Sequence, residues 1–398
     1  MSSHAFATRG DHCPFMPVFG PPQVMFVRGD GTELWDSDGK RYLDFLCGLA
    51  VTSLGHSNPA VTAAIAEQAA TLMHVSNFFA NPVATETAFL VDEVVGAAAG
   101  SSGQVFFCNS GAEANEAALK LARKFGGRGR HVVVSALGSF HGRTLATLAA
   151  TGQPTKHEPF QPMPDGFRNV AWADLDALEN AIDPSVSAVI IEPVQGEGGV
   201  NPAPVEYFRG IRELCDERGL LMIVDEVQTG FARTGRWFGF EHYGVKPDVV
   251  TLAKGLGNGF PIGACWARTD VAAVFQPGDH GSTYSGTAIA TAAARAVITE
   301  MQRIDAPALA EKKGAALRAG LEAIPEVQEV RGLGLLLAAE LRPGADAKAA
   351  CTALLERGLV TNAVTPSALR FAPPITVGEE EIDEAVAMVA SVLAEVVG

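Results

Sequence analysis

Leu221–Met222–Ile223–Val224–Asp225–Glu226–Val227–Gln228–Thr229–Gly230 decides the fold class: four apolar residues run directly into two acids. A strand covered on both faces reads as such an unbroken apolar run, and in open parallel sheets ligand groups gather at the carboxyl ends of the strands. Asp225 stands at that position. Taken alone, it is equally a helix cap or a surface acid after a strand. Similar runs occur on either side. Val105–Cys108, Val132–Ser135, Ala188–Ile191, Leu220–Val224 and Val249–Ala253 read as buried strands, with helix-like stretches such as Glu113–Phe125 and Glu206–Arg218 between them. This alternation predicts an α/β protein with a mainly parallel sheet and helices on its faces.

The chain ends differ in character. Met25–Val27, Thr32–Trp35 and Arg41–Phe45, separated by glycine turns, predict a small β-meander. Near the other end, strands are expected at Val327–Val330, Leu333–Leu341 and Ala368–Phe371. Helices are expected at Ala345–Arg357 and from Glu379 to Val396, the latter opened by a capping box between Thr376 and Glu379. The Pro/Gly-rich stretch from Gln153 to Gly166 reads as a long surface loop.

Composition narrows the function. At 398 residues, 47% hydrophobic and 19% charged, the chain can bury a large core and has the length of two or three domains. A formal charge of −15 argues against a nucleic-acid partner, which requires a basic face. No apolar run reaches the ~20 residues of a membrane span, and the first ten residues do not resemble a signal peptide. The six cysteines, at 13, 47, 108, 215, 265 and 351, show no C-x-x-C pair. Cys108, Cys215 and Cys265 read as buried free thiols, which suits a reducing cytosol. Zinc-protease, P-loop and nucleophile-elbow signatures are absent from the sequence.

Four elements carry chemistry. Asp225 is the first. Lys254 follows a strand and leads into Gly255–Leu256–Gly257–Asn258–Gly259, where a desolvated amine stays reactive, although an ordinary surface lysine also fits. Asn109–Ser110–Gly111–Ala112–Glu113 joins a strand to a helix, a turn that can hold a phosphate or serve as a plain cap. Ser139–Phe140–His141–Gly142–Arg143–Thr144 sets an aromatic beside an arginine able to clamp a carboxylate. An amine, an acid, a phosphate cradle, a flat ring and a carboxylate clamp form the inventory that pyridoxal phosphate requires. A nicotinamide-dependent dehydrogenase built on the glycine runs at 255–259 or 196–199 is the competing enzyme reading, but neither run has the strand–GxGxxG–helix setting. A non-catalytic protein that keeps the fold is a third.

Together with Leu54–Gly55–His56, Ile191–Glu192–Pro193–Val194–Gln195–Gly196–Glu197–Gly198–Gly199 and His280–Gly281–Ser282–Thr283–Tyr284, these motifs resemble, nearly end to end, the class III aminotransferases of pyridoxal-phosphate fold type I, most closely the acetylornithine branch. The resemblance implies a large domain at 57–303 with a seven-stranded sheet, and a smaller α+β domain formed by 1–56 and 304–398. It implies that Lys254 bonds the cofactor and shuttles a proton, and that Asp225 pairs with the ring nitrogen. Gln228 approaches the phenolic oxygen, Phe140 stacks on the ring, and Ser110, Gly111 and Ala112 hold the phosphate. Thr283 reaches the phosphate of a neighbouring subunit in a homodimer. Arg143 binds the distal carboxylate, Arg370 the α-carboxylate of glutamate, and Glu197 neutralises Arg370 when the donor has no carboxylate there.

The implied reaction moves the terminal amine of N2-acetylornithine to 2-oxoglutarate, a cytoplasmic step of arginine biosynthesis. Ornithine, succinylornithine, succinyldiaminopimelate and 4-aminobutyrate fit the same logic. Three positions depart from the family pattern. Phe19 stands where many relatives have a tyrosine, which disfavours free ornithine, and Ser285 and Thr287 replace a glycine and an asparagine.

Overall fold

The computed structural model describes residues 14–397. Its centre is a seven-stranded sheet in the order Gly103–Cys108, Gly263–Arg268, Val249–Leu252, Leu221–Asp225, Val186–Ile191, Val132–Ala136 and Phe167–Val170. Gly263–Arg268 runs antiparallel to both its neighbours, and the other ladders are parallel. The parallel core follows from its residues: every position of Val186–Ile191 and Leu221–Asp225 is buried, so helices must cover both faces. All five strands expected from the apolar runs are present, as are the helices Gly111–Gly126 and Val205–Arg218.

Two strands of this sheet escaped the sequence reading. Gly263–Arg268 (Gly-Ala-Cys-Trp-Ala-Arg) lacks the β-branched run that marks a strand, yet Trp266 is fully buried and its indole donates to Asp92 at 2.8 Å. Phe167–Val170 is a half-buried edge strand. Gln153 to Gly166 is less open than expected, since it contains the helix Pro154–His157 and a 3-10 turn at Glu158–Phe160.

Both ends of the chain build the remaining layers. The meander forms as Phe26–Asp30, Glu33–Asp36 and Arg41–Asp44, and Leu359–Val360 adds a fourth strand parallel to the last of these. Val327–Leu333, Leu336–Leu341, Ala368–Phe371 and Asn362–Thr365 make a further antiparallel sheet. The helix at Glu379–Val397 starts where expected, but its capping contact lies two residues later. Glu381 accepts from the Gly378 N–H at 2.6 Å, because Gly378 rather than Thr376 is the residue preceding the helix. Cys108, Cys215 and Cys265 are buried free thiols as expected, while Cys13 lies outside the described residues. Among the described residues no helix is long and apolar enough to cross a membrane.

Candidate active site

A cavity of about 410 Å³ opens at the carboxyl ends of the central strands. Ser110, Gly111, Ala112, Phe140, Arg143, Glu197, Asp225, Gln228 and Lys254 all border it, so the structure brings together nearly every residue singled out in the sequence.

Asp225 ends its strand with the carboxylate firmly held. Oδ2 accepts from Asn115 Nδ2 at 2.8 Å and lies 2.8 Å from His141 Nδ1, while Oδ1 accepts from the Val227 N–H at 3.0 Å. Asn115 in turn donates to the His141 carbonyl at 2.7 Å. Asn115 and His141 sit inside quoted motifs, but their roles depend on contacts from the helix at 111–126 and the loop at 141, which spacing alone does not reveal. Their outer atoms, Asn115 Oδ1 and His141 Nε2, are buried without a hydrogen-bond partner.

Lys254 begins a 3-10 turn after strand Val249–Leu252, with φ of 44°. Such a left-handed backbone costs a non-glycine residue about 1–3 kcal/mol and concentrates at functional sites. Its amine makes no hydrogen bond or ion pair among the described residues. Burial pulls its pKa below the usual lysine value, against the opposing pull of Glu197 and Asp225. Asn258 fixes the loop by accepting from Leu54 N at 2.7 Å and donating to Gly55 O at 3.0 Å, which explains the Leu54–Gly55–His56 motif.

On the opposite wall, Ser110 caps the helix Gly111–Gly126 by accepting from Glu113 N at 3.2 Å. A Cβ on Gly111 would come within 2.8 Å of Val227, so only glycine lets this helix end close on the strand. The Arg143 guanidinium lies over the Phe140 ring at 5.6 Å and has no ion-pair partner among the described residues. Glu192, quoted in a motif but given no role, is buried beside Asp225 and accepts from the Phe140 N–H at 3.1 Å. Burial, reinforced by the Asp225 charge, pushes its pKa well above the carboxylate range.

Glu197 and Arg370 meet. Arg370 NH1 donates to Glu197 Oε1 at 2.6 Å and to the Gly196 carbonyl at 3.1 Å, and Nε donates to Asn362 Oδ1 at 2.9 Å. NH2 is buried without a partner. Burial alone would raise the Glu197 pKa, but the adjacent guanidinium outweighs it and the pKa falls below its usual value. Gln228 bridges the pair at 3.5 Å on both sides. A Cβ on Gly196 would lie 1.7 Å from Gln228 Oε1. This glycine run therefore serves close packing around the ion pair rather than dinucleotide binding.

Of the expected residues, Arg370 lies behind the wall formed by Glu197 and Gln228, while Phe19 and Thr283 stand apart from the cavity. Phe19, expected at the substrate, is 88% exposed and does not border the cavity of its own chain. Pro17 and Pro21 flank it, and among the described residues no strand forms before Phe26. Thr283 is exposed and away from its own chain's cavity. Beyond it, Thr287 caps the helix Ala288–Arg303 by accepting from Ala290 N, and the Ser285 hydroxyl is buried without a partner.

A buried unpaired amine, a braced carboxylate and an uncovered helix N-terminus around one cavity fit pyridoxal phosphate. The family model for class-III aminotransferases matches residues 17–393. The chain belongs to the class-III aminotransferase family. It is 47% identical to the acetylornithine aminotransferase of Caldanaerobacter subterraneus over 96% of this chain and 97% of that protein. It is 44% identical to that of Mycobacterium bovis over 96% and 95%. Among solved structures, the ornithine aminotransferase of Toxoplasma gondii superposes with a TM-score of 0.90 at 34% identity, covering 96% of this chain and 92% of that one. The N-acetylornithine aminotransferase of Stenotrophomonas maltophilia does so with a TM-score of 0.82 at 35% identity, covering 95% and 97%. The aminotransferase fold and the pyridoxal-phosphate cofactor follow from this membership.

Proposed function

We propose that this aminotransferase moves the terminal amine of N2-acetylornithine to 2-oxoglutarate, giving N-acetylglutamate 5-semialdehyde and glutamate. The observation that carries the reading is Glu197 at the cavity wall, paired with the buried Arg370 behind it, across from an arginine without an acid partner, Arg143. A terminal amine carries no carboxylate on its reacting carbon, so the arginine nearest that carbon must be neutralised. Glutamate does carry one, and its α-carboxylate takes the place of Glu197 on Arg370. Arg143 serves both substrates by binding the carboxylate at the far end in bidentate geometry. The relatives named for acetylornithine support this choice over the other amines.

The remaining roles follow from position. Bound pyridoxal phosphate supplies the carbonyl that takes the amine and a ring that accepts the electron pair of the broken C–H bond. Lys254, whose pKa burial lowers, would bond the cofactor and is placed to carry the proton taken from the substrate carbon. Asp225, oriented by His141 and Asn115, keeps the ring nitrogen protonated. Gln228 reaches the phenolic oxygen, and Phe140 covers the ring face. Ser110, Gly111 and Ala112 hold the phosphate at the helix N-terminus.

We also assign a homodimer with shared sites, in which Thr283 serves the partner's phosphate. Around the Thr283 loop, Phe78 is 93% exposed, and Met73, Phe79 and Tyr284 are exposed as well, an apolar surface that a second copy would cover. Residues 57–303 are proposed as the large domain, with 1–56 and 304–398 joining in the small one. A cytoplasmic location suits the free cysteines.

Mixing the cofactor-loaded protein with N-acetylornithine, without keto acid, tests the reading directly. Fast loss of the visible cofactor band with this amine, and slow loss with ornithine or 4-aminobutyrate, is expected. Preference for another amine would overturn the substrate. Glu197→Gln should lower kcat/KM for acetylornithine relative to glutamate by about 10- to 100-fold, the worth of one charge-assisted hydrogen bond. An unchanged ratio in steady-state assays of both half-reactions would remove Glu197 from its gating role.

A further inference from the structure

Arg233 is the largest charged side chain that the reaction leaves unused in the interior, at 1% exposure. No carboxylate pairs with it among the described residues. Its partners are neutral: NH1 donates to Pro373 O at 2.5 Å and to Leu335 O at 3.2 Å, NH2 donates to Ser53 Oγ at 3.0 Å, and Nε has no partner. A buried guanidinium without an acid is expensive, so a neighbouring function is the place to look for its use.

The backbone that delivers Arg233 is itself strained. Phe231 and Ala232 have φ of 54° and 66°, both left-handed, directly after the Asp225–Gly230 run. Its contacts then bracket one strand. Pro373 lies three residues beyond Arg370. Leu335 adjoins Leu336–Leu341, whose Ala338 is the register partner of Arg370. The Leu335 N–H also donates to the Arg233 carbonyl at 3.0 Å. Ser53, the third partner, accepts the Ile375 N–H on its carbonyl at 2.8 Å, and Phe45 O accepts from Ala372 N at 2.7 Å. One guanidinium thus ties the strand carrying Arg370, the strand beside it and the segment at Ser53 to the loop that follows Asp225.

We infer that Arg233 is a positioning residue for Arg370, setting how the α-carboxylate subsite faces the cavity. The inference rests on the reading of Arg370 given above. Arg143 lies on a different loop, at the other end of the substrate, and does not touch this network. Loosening Arg233 should therefore weaken recognition of a carboxylate at the reacting carbon and leave the half-reaction of the terminal amine intact.

Glutarate, which has both carboxylates and no reacting group, separates this from activity. Titrated calorimetrically into the cofactor-loaded enzyme, it should bind about tenfold more weakly to Arg233→Lys, as expected when a charge-assisted contact is displaced. The milder Ser53→Ala should weaken it about threefold and guards against misfolding of the lysine variant. The KM for 2-oxoglutarate should rise in parallel, while the rate at which acetylornithine consumes the cofactor band and the far-UV circular dichroism of Ser53→Ala stay unchanged and its melting transition falls by no more than a few degrees. Equal glutarate binding by Ser53→Ala and the parent, equal loss of both half-reactions, or no glutarate binding by the parent would each overturn the inference. If the parent binds glutarate but does not react with acetylornithine, the functional reading fails on its own and glutarate still decides the role of Arg233.

Discussion

Lys254→Ala should abolish turnover, lowering kcat by at least about 10⁴-fold, the combined loss of a nucleophile and of a positioned acid–base group. The structure offers no substitute at that place. The amine stands without a hydrogen bond at the start of a 3-10 turn, and the charged groups that act on it, the acids Glu197, Asp225 and Glu192 and the guanidinium of Arg370, include no second amine. The alanine protein should keep its fold, since the Asn258 contacts to Leu54 and Gly55 hold the loop independently of the lysine side chain. Its visible spectrum after cofactor loading should lack the band of the parent enzyme, and a small primary amine added to the buffer should restore a fraction of the rate. Substantial activity without such rescue would remove Lys254 from the chemistry.

Asp225→Asn should cost about 10²–10⁴-fold in kcat with little change in melting temperature. The amide keeps the shape of the acid and its oxygen can still accept from Asn115 and His141, so the fold is kept at the loss of the one hydrogen bond from the Val227 N–H. What it cannot provide is a negative charge facing the ring nitrogen in a cavity where water does not screen the interaction. Single-turnover rates with acetylornithine and with glutamate should fall together, because both half-reactions use the same ring. A loss confined to one substrate would mean that Asp225 contacts that substrate instead, and a loss of only a few-fold would mean that the protonated ring is not required.

The fold was readable where burial leaves a simple trace. Strands covered on both faces, such as Val186–Ile191, show continuous β-branched runs, so the core of the sheet could be traced from residue types alone. Gly263–Arg268 could not: its burial depends on Trp266 filling a place that Gly103 leaves open, where a Cβ would come within 2.4 Å of the indole. The cavity residues emerged because their chemistry is distinctive and, for the most part, because the motifs resemble a known family. Asn115, His141, Glu192 and Asn362 did not, since each acts through a neighbour brought close only by folding. The ion pair of Glu197 with Arg370 joins residues 173 positions apart, a distance at which local patterns carry no information. Phe19 stands outside its own chain's cavity, and position along the sequence does not say which surface a segment covers.

The four-stranded layer in which Leu43 is held by Leu359 has a consequence for how the protein is made. Ribosomes add roughly 5–20 residues per second, so the first three strands emerge and then wait on the order of half a minute for the fourth. During that interval Leu43 and Phe45, both buried in the finished protein, lack the neighbours that Leu359 and Val360 later provide. The central sheet, whose strands are all synthesised within that wait, can assemble first. The nascent chain is therefore exposed to aggregation along residues 26–45 until Leu359 has been made.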